Sequence, residues 1–307
     1  MKKIFSLAIL IFAVTIIFSA SAEAVWRLDG NDEKTFPRNY RTMIDAWRIE
    51  MYVDDGNHEG LEKLHASASG QPSLEGIAFL YEQLSTIASQ NAEIYLLDLR
   101  QESHGFADNF PVSWYTEKNR GNFYVDPSEV EDIEIEQLKN LRGNLTEFVP
   151  LGNADKKLFQ AKKFSPQKTS TEREIATAAG FKYIRFAATD MIFPAPQVVD
   201  EFLNFVKNLP ENSWLHFHCQ AGHGRTTTFL VFYDILKNPE LSLEEICKRQ
   251  YYLGGSNLLE KSDGTDFYAN AQNSRAALIK LFYQYAHKNS GETWTEFYQK
   301  HSNITAD

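Results

Sequence analysis

Cysteine is nearly missing from this chain: Cys219 and Cys247 are the two in 307 residues. Two thiols cannot build the disulfide framework of a small secreted scaffold. A bridge between them would also consume the sulfur argued below to be reactive. Metal-ligand spacing is missing as well; His216 and His218 share a strand face, but no second Cys/His cluster follows them. So is a basic excess. The formal charge of -10 argues against a nucleic-acid surface as a global property, and says little about a local anion pocket. No internal repeat or low-complexity tract stands out. Beyond the N-terminus no apolar run reaches the length needed to span a bilayer.

The N-terminus itself carries an address. Lys2 and Lys3 precede an apolar run over residues 4–18, and small residues at 19–24 end in an A-x-A pattern. That is the pattern of a secretory signal peptide over 1–24, cut after Ala22 or Ala24. The expectation is an exported chain, periplasmic or secreted, without membrane contact once the leader is gone. Roughly 280 residues then remain, enough for one large domain over 25–307. Residues 25–72 and parts of 100–170 form the expected small appendage. Oligomeric state is left open.

Periodicity supplies the elements. Ser73 caps a helix to about Ser89, with an apolar stripe from Leu74 to Ile87. Residues 93–99 make a near-continuous apolar strand of the kind buried on both faces of a parallel sheet. Asp126-Pro127-Ser128-Glu129 reads as a helix start with a capping box, and the helix runs to about Leu141. A strand is expected near 145–151, and a polar, lysine-rich, solvated connection over 153–168. Thr171 opens a second capping box that stops at Gly180; residues 181–187 are strand-like; 197–209 are helical, as is Ser242 onward, with Cys247 in the helix core. A polar loop containing Lys261 and Asp263 runs from Gly254 to about Asn273, followed by helices near 274–288 and 293–300. Alternating strands and helices predict α/β with a mostly parallel central sheet flanked by helices, and a small N-terminal β-rich appendage. Residues 25–57 resist assignment; Arg38 and Arg41 fit a solvated loop best.

One stretch organises the rest. Residues 214–228 read as an apolar strand, a glycine-containing loop and a helix opening at Arg225 and Thr226. Unpartnered amides at a helix N-terminus, with the dipole behind them, make an anion site. Gly222 and Gly224 permit the backbone angles that aim those amides at one centre. Arg225 adds a planar fork for two phosphate oxygens. Cys219 at the loop's start is placed to be a thiolate and hence a nucleophile. An inert core thiol is the alternative, yet it needs neither an arginine six residues on nor two glycines between.

His218-Cys219-Gln220-Ala221-Gly222-His223-Gly224-Arg225-Thr226 resembles the phosphate loop of the cysteine-dependent phosphatases, HCxxGxxR[ST], at every fixed position. Ester cleavage also needs a proton donor. Asp190, in the loop Ala188 to Pro196 beside Phe193 and Pro194, is the candidate; a turn aspartate capping the helix near Pro196 is the alternative. Together with the segments 98–105, 185–190 and Gly254-Gly255, the loop resembles the bacterial cysteine phytases, of protein-tyrosine-phosphatase-like fold, which act on inositol polyphosphates. The resemblance implies Cys219 as nucleophile, Asp190 as general acid, Arg225 as transition-state clamp, and His218 and Thr226 as residues tuning the sulfur. It implies Gln220, Ala221, Gly222, His223 and Gly224 as the phosphate-binding loop, and substrate contacts from Arg38, Asp108 and Lys261. For Asp98 and Arg100 a structural pair at the sheet edge serves as well. The implied partner is a small polyanionic phosphate ester, with no metal or other cofactor, because amides and Arg225 take the place of Mg²⁺. Met191 and Phe193-Pro194 stand where the family often has His and Trp-Pro, and His223 fills a loop position. A protein-tyrosine phosphatase and a catalytically silent phosphate-binding module stay open beside this reading.

Overall fold

The computed structural model describes residues 24–44, 57–288 and 291–302. The leader lies outside them except for Ala24. Among the described residues the chain runs β1 (Val25–Leu28), β2 (Arg41–Thr42), β3 (Ala66–Ser69), α1 (Leu74–Ile87), β4 (Glu93–Asp98), β5 (His104–Ala107) and β6 (Phe110–Tyr115). It continues with α2 (Val130–Leu141), β7 (Thr146–Phe148), α3 (Gly152–Leu158), β8 (Lys162–Phe164), β9 (Thr169–Ser170), α4 (Glu172–Ala179), β10 (Lys182–Arg185) and α5 (Pro196–Lys207). β11 (Ser213–His218), α6 (Gly224–Lys237), α7 (Leu243–Tyr252), α8 (Phe267–Lys288) and α9 (Trp294–His301) complete it.

Local chemistry explains many of these boundaries. Ser73 Oγ accepts the Gly76 N–H at 2.9 Å and opens α1. Thr171 and Ser242 close reciprocal capping boxes with Glu174 and Glu245, and Gly180, at φ 111°, ends α4. Asp126 behaves differently from expectation. It caps a single 3-10 turn at Pro127–Glu129, Glu129 makes no capping box, and α2 proper begins at Val130. The supposed connection at 153–168 contains α3 and β8; α3 turns Lys156 and Lys157 to solvent while burying Asp155.

The principal sheet has the order β10-β4-β11-β3-β2. β10, β4, β11 and β3 are mutually parallel and β2 is antiparallel to β3. Parallel strands need crossover connections; α1 lies on the one from β3 to β4, which skips the place of β11, and α5 on the one from β10 to β11, which skips β4. All six residues of β11 are buried, and α6 is buried from Arg225 to Ile235. Phe217, Phe202, Phe229 and Phe232 interlock over the sheet with no exposure. Each such ring contributes about 1.5–3 kcal/mol through burial alone, so the helix carrying Arg225 is among the firmest in the molecule.

A second, antiparallel sheet has the order β1-β6-β5-β9, with the β7-β8 pair beside it. Leu28, Val112, Leu138 and Phe148 pack beneath it as a separate core. It draws on residues 25–28 and 104–170, whereas β2 and β3, from the 25–72 stretch, belong to the principal sheet.

The four parallel strands deliver their C-terminal ends to one edge. Gly70, Leu99, the loop leading to Asp190, and Cys219 follow β3, β4, β10 and β11 there. Open α/β sheets place ligands at that edge.

Candidate active site

The loop after β11 begins at Cys219, 3 % exposed at its floor. Its Sγ accepts the Gly222 N–H at 3.3 Å. Three consecutive loop carbonyls are tied down from outside. Arg38 Nη2 donates to Gln220 O at 3.0 Å, Asn39 Nδ2 to Ala221 O at 2.7 Å, and Arg41 Nη1 to Gly222 O at 2.8 Å. A trans peptide holds its N–H opposite its C=O. Carbonyls 220, 221 and 222 turned outward therefore turn the amides of Ala221, Gly222 and His223 inward, on the sulfur's side. A loop arranged in this way can cradle an anion. Gly222 has φ 77°, and a Cβ there would stand 2.5 Å from Gly70 N and Ser69 C, so only glycine fits. Arg38 and Arg41 are accordingly not a solvated loop: they and Asn39 form a brace, with Arg41 only 1 % exposed.

Arg225, in the first turn of α6, is gripped by Glu102. Nη1 donates to Oε2 at 2.6 Å and Nη2 to Oε1 at 2.9 Å, while Nη1 also reaches Ala188 O at 3.1 Å. Burial opposes its charge, but the Asp190 and Glu102 carboxylates hold its pKa well above the ordinary value. Glu102 is likewise buried, yet Arg225 and Arg100 keep its carboxyl far below the usual range. Arg100 completes this scaffold through Glu102, Asp29 and Gln71 at 2.9, 2.9 and 2.6 Å. Asp98 and Arg100 do not pair side chain to side chain; Asp98 Oδ1 accepts the Arg100 backbone N–H, and Asp98 Oδ2 takes the Tyr183 hydroxyl.

Asp190 meets this group from the other side. Its Oδ1 lies 3.4 Å from Arg225 Nε, and its Oδ2 accepts from Asn119 Nδ2 at 2.8 Å. Asn119 also donates to Glu102 Oε1 at 3.1 Å, so one amide aligns both carboxylates. Asp190 caps no helix: Ala195 occupies the N-cap of α5 without a side-chain bond. Phe193 anchors the loop in the core against Phe232 and Trp294, at 5.4 and 5.8 Å between ring centroids.

Beneath the loop, His218 Nε2 lies 3.3 Å from Glu172 Oε2. Glu172 also accepts from His104 Nε2 at 3.0 Å and Gln71 Nε2 at 2.6 Å. His104 points its other nitrogen at Glu102 O, 3.0 Å away. Both ring nitrogens thus face acceptors, the arrangement an imidazolium satisfies, although Arg185 Nη2 also approaches Nδ1 at 3.4 Å. Burial works against that charge, but Asp98 and Glu134 lift the pKa to about 10. Asp98, His104 and Glu172 are close enough to hold a metal ion, but a protonated imidazole is no ligand. His216 is the opposite case: bound between the hydroxyls of Ser67 and Ser69, both at 2.9 Å, its pKa is pushed well down by burial and by His218. Thr226 Oγ1 is buried with no hydrogen-bond partner among the described residues. His223 is exposed as a residue, yet partial burial of its ring, with Arg41 and Arg38 nearby, lowers its pKa; its carbonyl accepts from Thr227. Cys247 lies in the α7 core with its thiol pushed up to about 12 by burial.

Above the loop opens a cleft of about 490 Å³, lined among others by Asp190, Gln220, Ala221, Gly224, Tyr268 and Arg275. The remaining substrate candidates fall elsewhere. Asp108 sits in the β5–β6 turn at φ 50°, its carboxylate accepting the N–H groups of Gln167 and Lys168. Lys261 lines a different cavity, of about 680 Å³, with Lys280. Arg38 is committed to the loop and to Asp155. Glu102, Asn119, Asn39 and Arg275 were not singled out from sequence. For Arg275 a signal existed: Asp266 Oδ1 accepts the Ala269 N–H at 2.8 Å. That places the start of α8 at Phe267 rather than near 274, and sets Tyr268, Gln272 and Arg275 on one face.

Comparison with known proteins agrees with this geometry. Residues 97–237 match the protein-tyrosine-phosphatase-like phytase family, described by inositol hexakisphosphate. A protein-tyrosine-phosphatase-like phytase from Bdellovibrio bacteriovorus is 31 % identical, with a TM-score of 0.70, over 90 % of this chain and 95 % of that one. A protein-tyrosine-phosphatase-like myo-inositol phosphatase from Mitsuokella multacida, solved with myo-inositol-(1,3,4,5)-tetrakisphosphate, is 33 % identical with a TM-score of 0.81, over 90 % of this chain and 49 % of that one. The effector protein hopD2 of Pseudomonas syringae pv. tomato is 30 % identical over 282 residues, which are 85 % of this chain. The match spans 56 % of hopD2, so this chain corresponds to about half of that relative and of the Mitsuokella protein.

Proposed function

Because this chain belongs to the protein-tyrosine-phosphatase-like phytases, a family of phosphoric monoester hydrolases, we propose that it removes phosphate from inositol polyphosphates through a cysteinyl-phosphate intermediate. The observation that supports this reading is the grouping of three devices: the braced loop whose Gly222 N–H meets Cys219 Sγ, the Glu102-held guanidinium of Arg225 in the helix that follows that loop, and Asp190 within 3.4 Å of that guanidinium.

Cys219 Sγ attacks phosphorus in line. The S–P bond forms as the ester P–O bond breaks, and the departing oxygen takes its proton from Asp190. Charge on the equatorial oxygens is held throughout by the amides of 221–223 and by Arg225, which need no reorganisation during reaction. In the second step Asp190 takes a proton from water, the water oxygen bonds to phosphorus, and the S–P bond breaks to return the thiolate and free phosphate. Glu102 and Asn119 act through Arg225 and Asp190 as positioning residues.

Export is part of the same proposal, supported by the basic flank, apolar run and A-x-A ending of residues 1–24. An enzyme recovered from the cell exterior or periplasm with its N-terminus after Ala22 or Ala24 is the expected finding.

Side-by-side kinetics on inositol hexakisphosphate and a phosphotyrosine peptide, with Cys219→Ser in parallel, test the chemistry. The expected result is a higher kcat/KM for the inositol ester and turnover abolished in the variant. Preference for the peptide would reassign the enzyme to phosphotyrosine, and a Cys219→Ser protein that still turns over would rule out the covalent step.

A further inference from the structure

Asn119 aligns the two carboxylates of the site, so what fixes Asn119 matters for the chemistry. It stands on the segment 116–125 between β6 and α2, whose backbone is unusual: Lys118, Asn119 and Asn122 have φ of 59°, 54° and 65°. Asparagine visits this left-handed region readily and lysine does not; three such residues within five cost energy that neighbouring contacts must offset. Part of the support comes from Asn122, whose Nδ2 donates to Gln101 O at 3.0 Å and to Ser103 Oγ at 2.9 Å. Further support comes from Phe267, the first residue of α8. Its ring centre lies 4.8 Å from Lys118 Nζ and 4.5 Å from the Arg120 guanidinium carbon. The residues immediately before and after Asn119 thus rest on one ring. Lys118 also pairs with Glu117 at 3.4 Å, and Arg120 also lies over Phe123 at 4.8 Å, but those partners belong to the same segment and anchor it to nothing else. Asn119 Oδ1 is buried with no hydrogen-bond partner among the described residues. The direction of its amide therefore depends on where the backbone carries it and on the two bonds it donates.

We propose that Phe267 is a positioning residue for proton transfer, holding Lys118 and Arg120 so that Asn119 keeps the Asp190 carboxyl in place. This rests on the phosphatase reading and adds to it a residue that acts through three others. A cation over an aromatic face is attracted by the quadrupole of the ring, and a leucine of similar bulk offers none. Without the ring the turn at 117–120 relaxes toward right-handed angles, which carries Asn119 off both carboxylates. Glu102 still has Arg100 and Arg225 to hold it. Asp190 keeps the Met191 N–H and Arg225 on Oδ1 but loses the donor that directs Oδ2. The step affected is the one in which the ester P–O bond breaks and the departing oxygen takes the Asp190 proton. An inositol alkoxide is too basic to leave without that proton, whereas 4-nitrophenolate leaves unaided.

The test compares kcat/KM, which reports the steps through P–O cleavage, for inositol hexakisphosphate and 4-nitrophenyl phosphate. Asp190→Asn sets the scale: loss of a general acid lowers the value for the inositol ester about 10²–10⁴-fold and that for the aryl ester far less. Two cation–π contacts together are equivalent to about tenfold. Phe267→Leu should therefore lower kcat/KM for the inositol ester about tenfold, and for the aryl ester by a clearly smaller factor. Phe267→Tyr keeps an aromatic face and should restore the wild-type values. Phe267→Met carries the comparison if thermal unfolding finds the leucine protein misfolded. Equal losses on the two esters, no loss on the inositol ester, or a tyrosine variant as slow as the leucine one would each overturn the assignment. An ester contrast in Asp190→Asn that Phe267→Leu does not share refutes the clamp alone. A wild-type chain that cleaves neither ester refutes the phosphatase reading, and any role in proton transfer with it.

Discussion

Replacing Asn39 with glycine isolates one strut of the brace around the phosphate loop. Asn39 is exposed and has φ 57°, a conformation glycine adopts without strain, so the backbone tolerates the change. What disappears is the 2.7 Å hydrogen bond to Ala221 O. A net hydrogen bond contributes about 0.5–1.5 kcal/mol, and its loss frees the 221–222 peptide to rotate its amide away from the bound anion. If that energy is expressed in anion binding, the Kd for orthophosphate or vanadate rises about twofold to twelvefold. Asn39→Asp is the sharper companion: a carboxylate cannot donate to the Ala221 carbonyl, and its charge opposes the anion. Calorimetric titration of each variant, with thermal unfolding alongside, should rank the wild type tightest, Asn39→Gly next and Asn39→Asp weakest. An Asn39→Asp protein that binds oxyanions as tightly as the wild type would refute the brace. So would a glycine variant whose stability falls while its affinity is untouched, because the bond would then be structural alone.

Two further outcomes follow from the buried charges. Glu102→Gln should lower kcat on any phosphate ester by about a hundredfold, as expected when a transition-state donor is misaligned, with KM moving far less; an unchanged kcat removes Glu102 from positioning Arg225. The acid–His104 cluster predicts a bounded stability window. His104, raised from 6.5 to about 10, stabilises fully below pH 6.5 and loses that contribution as pH climbs to about 10. Glu172 is lowered from 4.5 to about 2, since His218 and His104 outweigh its burial. Its contribution is present above pH 4.5 and fades as pH falls toward 2. Tm measured across pH should therefore be highest between about 4.5 and 6.5, and His104→Gln should flatten the alkaline limb; a Tm that rises from pH 6.5 to 10 contradicts the protonated imidazole.

What the chain announces in advance, and what it hides, divides along sequence distance. The phosphate loop at 218–226, the strand at 93–98 and the caps at Thr171 and Ser242 are local patterns, complete within a few residues, and each stands where its pattern puts it. The brace is invisible to such reading because Arg38 and Gln220 meet across 182 residues, and Arg225 and Glu102 across 123. No periodicity links those positions. Arg38, Asp108 and Lys261 illustrate the converse: a basic or acidic residue in a plausible loop says nothing about where its partner waits. Arg38 finds Asp155, Asp108 finds two backbone amides, and Lys261 finds another cavity. Arg275 was hidden for a different reason, a helix start carried by Asp266 inside a polar stretch that otherwise reads as loop.

Asp155 joins parts that the topology keeps apart. Its Oδ2 takes Arg27 Nη2 from the antiparallel sheet at 2.8 Å, its Oδ1 takes Arg38 from the brace, and Gln220 Nε2 of the loop approaches at 3.4 Å. The small sheet is therefore no detachable ornament. A shortened protein that kept every catalytic side chain but dropped the strands around 25–28 or the turn of helix at 152–158 would lose the keystone of its oxyanion pocket, and trimming toward a minimal catalyst should stop short of both.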